Sequence, residues 1–314
     1  MPAQIMNTGI VLPVEGPAAS RGSLLRVALE AERLHAHSVW ATDRILMPAS
    51  TPKAYPYSEE RGAVAFDPAR LWLEPVSVLS LVAGVTERVQ LGTNVLVLPY
   101  RQPVVLAQEF ATLDLISEGR ALLGIGIGWM EEEFTALGVP MRERGRRTDE
   151  AIRVLRALWA TGEPVTFSGT DTAFTEMALA ASTFSPGGPP ILIGGNSPAA
   201  LARAASLGDG WLGADLEPAA AGDAVAKIRD LCADLGRNPD RLVLSARRRI
   251  EPPRDAQLRA SSPFGMSAEQ WIQQTGEYAA VGINLMIFDL LMVPDMIEGM
   301  QWLFSDVIAK VGTP

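Results

Sequence analysis

Two groups of residues in this sequence have the types and spacing for chemistry on a small, flat or anionic molecule. The first is glycine-rich. In LLGIGIGWMEEEF, Gly124, Gly126 and Gly128 alternate at the end of an apolar run, and missing side chains there let a flat ring or a phosphate approach the backbone. The spacing is not that of a GxGxxG fingerprint, and glycines also serve tight packing, so both readings stand. Trp129 follows directly and can stack on a ring or fill core. In ILIGGNSPAAL, Ile193, Gly194 and Gly195 end a second run, and Asn196, Ser197 and Pro198 open a helix. Free amides at a helix start, with the positive end of the dipole, suit an anion; an ordinary turn capped by Ser197 is the plainer alternative.

The second group is charged. Asp43 and Arg44 follow the run VWAT at the end of a strand, where they can form a site, or simply a surface ion pair or a loop cap. Arg247, Arg248 and Arg249 end a later run. Alternation along a strand sends neighbours to opposite sides, so one or two of them can face a binding site while solvated surface is the plainer reading. Glu131, Glu132 and Glu133 suit the first turn of a helix, with room for one to face a pocket. The arginines at 142, 144, 146 and 147 are interleaved with acids and read as paired surface charge. His35 and His37 are two apart and share no helical face, and Cys232 is the lone cysteine, so no metal site, disulfide or CxxC pair is expected.

These residues sit at the ends of apolar, β-branched segments that recur along all 314 residues: Asn7 to Leu12, Ser38 to Ala41, Val89 to Leu98, Ala121 to Ile127, Pro190 to Ile193, Gly210 to Leu212, Leu242 to Ala246 and Ile283 to Phe288. Helical patterns lie between them. Leu24 to Ala36 and Pro103 to Glu118 have helix-forming compositions; Ile152, Leu155, Leu158 and Trp159 give one apolar face after Thr148 and Asp149; Ser197-Pro198 starts a helix that Gly208 ends; and Ser267 with Gln270 forms a capping box. Eight strands alternating with helices predict a single (β/α)8 TIM barrel over residues 1–314, with loop insertions at the C-terminal mouth. The long stretches Pro48 to Pro68, Gly162 to Pro189 and Glu251 to Met266 are the candidate lids or insertions.

A 48% hydrophobic, 20% charged composition supports an extensive core, and a net charge of −9 disfavours nucleic acid and anionic membrane as partners. No apolar run reaches the length of a membrane span and no leader is visible at the N-terminus, so a cytoplasmic protein acting on a small molecule is expected.

Taken together, VWATDR, the long block from Arg88 to Pro140, RGRRTDEAIRVLRALW and PPILIGGNSPAALARAASLGDGWL closely resemble the luciferase-like monooxygenase superfamily, and most of all its coenzyme F420-dependent branch. The resemblance runs from the first strand to about Leu212 and weakens beyond. It implies a homodimeric oxidoreductase moving hydride between C5 of the deazaflavin and a small organic substrate, with FMN as the alternative cofactor in an oxygen-using monooxygenase fed by a separate reductase. A barrel that binds cofactor without turnover is a third possibility. The resemblance further implies a cis peptide at Asn94-Val95 pressing on the ring, and a pocket lined by Asp43, Asn94, Val95, Gly126, Gly128, Trp129, Ile193, Gly194, Gly195, Asn196 and Ser197, with Asp43 and Arg44 as the candidate catalytic pair. The sequence departs from the family where Arg44 replaces a common His and where Trp129, rather than an acid, follows the glycines.

Overall fold

The computed structural model describes residues 6–49, 70–253 and 263–311. Eight parallel strands close on themselves in the order β1 (Asn7–Val11), β2 (Ser38–Ala41), β3 (Gln90–Thr93) continued by β4 (Leu96–Val97), β5 (Ala121–Gly126), β8 (Ile191–Gly194), β9 (Gly210–Ala214), β10 (Val243–Arg249) and β11 (Leu285–Asp289). The first strand pairs with the last, Asn7 opposite Leu285 and Ile10 opposite Phe288. Each barrel strand coincides with one of the eight apolar segments of the sequence. Strands buried on both faces read as unbroken β-branched runs, which is why they are visible without a structure.

The single segment Val89 to Leu98 is divided into β3 and β4, with the cis Asn94–Val95 peptide between them. The barrel interior is filled by Val11, Trp40, Leu122, Leu192, Leu212, Leu285 and Ile287, while a larger apolar shell packs between the strands and the surrounding helices. Gly9 and Gly92 are required on the inner face because Trp40 occupies the space their side chains would take.

Helix ends follow local chemistry and shift several expected boundaries. Helix α1 (Arg21–Arg33) starts a turn before Leu24, since Ser20 accepts from the Ser23 N–H, and it stops short of Ala36 because His35 adopts a φ of 57°. Helix α2 (Pro75–Ala83) is capped by Glu74, and α3 (Pro103–Ile116) by Gln102. After the short α4 (Glu131–Ala136), α5 (Arg144–Trp159) begins a turn before Thr148. Ser197 caps α6 (Pro198–Leu207); α7 (Pro218–Asp234) follows β9; the Ser267–Gln270 capping box opens α8 (Ala268–Ala280); and α9 (Met296–Trp302) follows β11.

Of the three long stretches, Pro48 to Pro68 lies almost wholly outside the described residues, as does the middle of Glu251 to Met266. Gly162 to Pro189 contains an antiparallel hairpin, β6 (Val165–Ser168) and β7 (Ala173–Met177). It connects the end of α5 to the start of β8, so it belongs to the outside of the barrel. Its turn is fixed to α5, where the Glu150 carboxylate accepts from the N–H groups of Thr170, Asp171 and Thr172 at 2.8–2.9 Å. The basic cluster finds acids as expected, Arg146 and Arg147 both reaching Asp171. Among the described residues, no helix is long and apolar enough to cross a membrane.

Candidate active site

The C-terminal ends of the barrel strands surround a cavity of about 530 Å³. Its two sides differ in chemistry because they come from opposite arcs of the barrel.

On the arc of β4, β5 and β8 the wall is apolar, one valine side chain flanked by glycine backbone. Val95 forms its centre, and a Cβ added to Gly126 or Gly194 would lie 2.5 Å from a Val95 methyl. These two glycines therefore make room for Val95, and it is Val95 that faces the cavity with them. Gly195, with φ 111°, leaves backbone at the cavity edge beside the α6 N-terminus. Gly128 and Trp129 line the cavity as well.

Three other residues of the expected pocket lie beside the cavity rather than in it. Ile193 packs in the outer shell, because its neighbours Leu192 and Gly194 take the inner face of the strand. Asn196 clips the start of α6 to the end of β9 by donating to the Ala214 carbonyl at 2.8 Å and accepting from its N–H. Ser197 is exposed and spends its hydroxyl on the Ala200 N–H.

The rim near β2 is an assembly of buried ion pairs. Asp43 receives two bonds from Arg101, at 2.6 and 2.8 Å, and a third from the Val97 N–H at 2.8 Å. Both carboxylate oxygens are thereby occupied, and the pair ties the end of β2 to the segment after β4. Arg44 donates to Glu133 at 2.8 Å and lies between the rings of Trp72 and Trp129, 5.7 and 5.2 Å from their centroids. Glu133 also accepts from Tyr100 and from the Ile45 and Leu46 N–H groups. Burial, with Glu133 adding to it, pushes the Tyr100 hydroxyl well above its ordinary range, so Tyr100 stays a donor. Of the three glutamates at the head of α4, one thus faces inward.

The arc of β10, β11 and β1 is ionic. Strand alternation places Arg247 and Arg249 inside and Arg248 outside, where it pairs with Glu217. Both inner arginines converge on the fully buried Asp289, at 2.6 and 3.0 Å. Burial opposes ionisation of Asp289, but the two guanidiniums outweigh it and hold the carboxyl at about 2. Solvated surface is therefore not the fate of the arginine run, since three successive residues of β10 split two to one between mouth and exterior.

Glu15, on the chain leaving β1, completes this wall, with Arg70 3.4 Å away. Sequence reasoning missed Glu15, Arg70, Trp72, Tyr100, Arg101 and Asp289. Only Asp289 carried a usable signal, standing one residue beyond an apolar run where barrel strands present functional groups.

Four residues lining the cavity each carry a buried polar atom without a hydrogen-bond partner among the described residues: the Thr42 hydroxyl, the Asn94 amide nitrogen, and the Nε of Arg44 and of Arg70. An unsatisfied buried polar atom costs about 1–3 kcal/mol, and a bound group with a polar edge would remove that cost. Together with the apolar, glycine-flanked wall, these atoms fit a heterocycle with one apolar face and a polar edge. No cluster of three or more His, Cys, Asp or Glu able to hold a metal occurs among the described residues.

Residues 6–281 match the luciferase-like monooxygenase family, and the chain belongs to that family, a family of oxidoreductases. It is 31% identical over 212 residues, 67% of this chain and 72% of the relative, to an uncharacterized protein of Mycobacterium tuberculosis. It is 34% identical over 194 residues to the F420-dependent glucose-6-phosphate dehydrogenase of Amycolatopsis mediterranei, a match spanning 60% of this chain and 52% of that enzyme. The solved structure of an F420-dependent secondary alcohol dehydrogenase superposes with a TM-score of 0.77 at 19% identity, covering 97% of this chain and 98% of the other, a likeness of fold.

Proposed function

We propose that the chain is an F420-dependent oxidoreductase acting on a small organic substrate. The observation that carries this reading is the opposition of two walls across one cavity, an apolar wall around Val95 facing an ionic wall around Asp289. A planar ring against the first leaves its other face toward polar groups that can hold a substrate. Relatives above 30% identity that carry an activity in their names, such as the Amycolatopsis enzyme, support F420 as the cofactor.

When bound, the deazaflavin supplies two-electron hydride chemistry at C5, and the protein supplies position, a dry pocket and charge. Val95, Gly126 and Gly194 form the surface for the ring. The Thr42 hydroxyl and the Asn94 amide offer hydrogen bonds to its polar edge, and backbone at Gly195 with the α6 N-terminus offers amides to a phosphate. Asp43 acts here by fixing the loop after β4, and Arg44 by bridging Trp72 and Trp129 at the rim, so both candidate catalytic residues serve as positioning groups in this reading.

Family membership also favours a second reading, an FMN-dependent monooxygenase using oxygen and a separate reductase. Titration of the apoprotein with F420 and with FMN, followed by cofactor fluorescence, separates the two. Saturation by F420 at low micromolar concentration with weak FMN binding is expected; the reverse preference, accompanied by oxygen consumption, would establish the monooxygenase, and binding of neither would remove both. The homodimer that the family resemblance implies belongs to the same proposal. Leu81, Val105, Leu115 and Ile116, exposed on α2 and α3, offer apolar surface for it, and sedimentation velocity tests it.

A further inference from the structure

The carboxylates around the cavity are not equivalent. Asp43 accepts from Arg101 and a backbone amide, Glu133 from Arg44, Tyr100 and two amides, and Asp289 from two arginines and the Leu291 N–H. Each has both oxygens engaged by three or four donors from the protein. Asp215 and Glu251 are exposed at the rim. Glu15 differs from all of these, for it is 8% exposed, lines the cavity, and accepts no hydrogen bond from any described residue. Its near neighbour is the Arg70 guanidinium at 3.4 Å.

From this difference we infer that Glu15 is the proton carrier of the site, giving its proton to the substrate oxygen as a carbonyl is reduced and recovering it as an alcohol is oxidised. The inference rests on the hydride-transfer reading. In the reducing direction the carbonyl carbon gains a hydride from the reduced deazaflavin, and the carbon–oxygen π bond becomes an oxygen lone pair. That oxygen takes the Glu15 proton, the Glu15 O–H bond breaks to leave a carboxylate, and solvent restores the acid. The products are an alcohol and the oxidised cofactor: the hydride brings two electrons and the hydrogen on carbon, and Glu15 brings the hydrogen on oxygen.

The electrostatics agree with the geometry. Burial pushes the Glu15 carboxyl up; Arg70 pulls it down, Asp289 on β11 pushes it up, and Arg247 and Arg249 on β10 pull it down, with the net effect above the ordinary carboxylate range. An acid of this kind keeps its proton closer to neutral pH than Asp289 does, as a general acid requires.

The test uses the full-length protein with Glu15→Gln and Glu15→Asp. F420 fluorescence titration should give affinities within about twofold of the unaltered protein, since uniform binding of the cofactor does not depend on this proton. Infrared difference spectra of the F420-loaded protein across pH should show a protonated-carboxyl band that titrates above the usual glutamate range and is missing in Glu15→Gln. With reduced F420 and a carbonyl panel of acetone, cyclohexanone and benzaldehyde, Glu15→Gln should slow reduction by about 10²–10⁴-fold and abolish the fall in rate at rising pH, and Glu15→Asp should restore part of the rate.

Carbonyl reduction by Glu15→Gln at the original rate and with the original pH profile would overturn the inference while leaving the hydride reading intact, and so would an infrared band unchanged by the substitution. Failure to bind F420 would instead overturn the cofactor reading. Binding of F420 without reduction of any carbonyl would overturn the proton role, by removing the reaction that uses it.

Discussion

Replacing Asp43 by Asn keeps the shape of the side chain and removes the charge. In the folded protein the Asp43 side chain is 1% exposed and Arg101 14% exposed, so the change leaves a buried guanidinium facing a neutral amide, whose NH2 group opposes one of the two short bonds. Breaking one half of a buried pair costs about 3–5 kcal/mol, because the remaining charge loses its compensation. At roughly 2 °C per kcal/mol for a chain of this size, the melting temperature should fall by about 6–10 °C. Scanning calorimetry of Asp43→Asn, Arg101→Gln and the double variant measures this. The double variant should be more stable than the sum of the two losses implies, since the second substitution removes the stranded charge. Asp43→Asn that melted like the unaltered protein yet lost carbonyl reduction with F420 affinity intact would refute the reasoning, because Asp43 would then be acting on the reacting atoms rather than fixing the loop.

Gly194→Ala places a methyl 2.5 Å from Val95, which forms the centre of the apolar wall and would be pushed into the cavity; a stability loss of about 1–3 kcal/mol by chemical denaturation, with F420 affinity reduced at least tenfold, is expected. The Asp289 carboxyl sits at about 2 against an ordinary 3.8, so its stabilising contribution is complete above pH 4 and is lost as pH falls toward 2. That difference is worth about 2 kcal/mol, and Asp289→Asn should erase this part of the acid dependence in denaturation curves while lowering stability at pH 7.

The barrel was legible because its strands are buried on both faces and announce themselves as apolar runs, and because Ser197-Pro198 and Ser267–Gln270 mark helix starts by side-chain chemistry. Much of the mouth was legible too, since Val95, Gly126, Gly128, Trp129, Gly194 and Gly195 all reach the cavity. What the sequence hid was pairing. Whether Asp43 meets solvent, substrate or Arg101 depends on a contact across 58 positions, and nothing local distinguishes these fates. Local chemistry also leaves Asn196 and Ser197 open, since the residue types that suit an anion site serve equally well to clip β9 and cap α6. The glycines admit a similar ambiguity, resolved only when Val95 is seen to fill the space they leave.

Closure of the barrel joins its first strand to its last, and the ionic wall follows that seam, with Glu15 issuing from β1 while Asp289 ends β11. During synthesis, a chain that has already formed the apolar wall from β4, β5 and β8 still lacks the opposing one until residue 289 has been added. Ligand capture that needs both walls is therefore a late event in maturation. A nascent or truncated chain holds one wall of the cavity at most, and a complete cavity reports that the last strand has docked against the first.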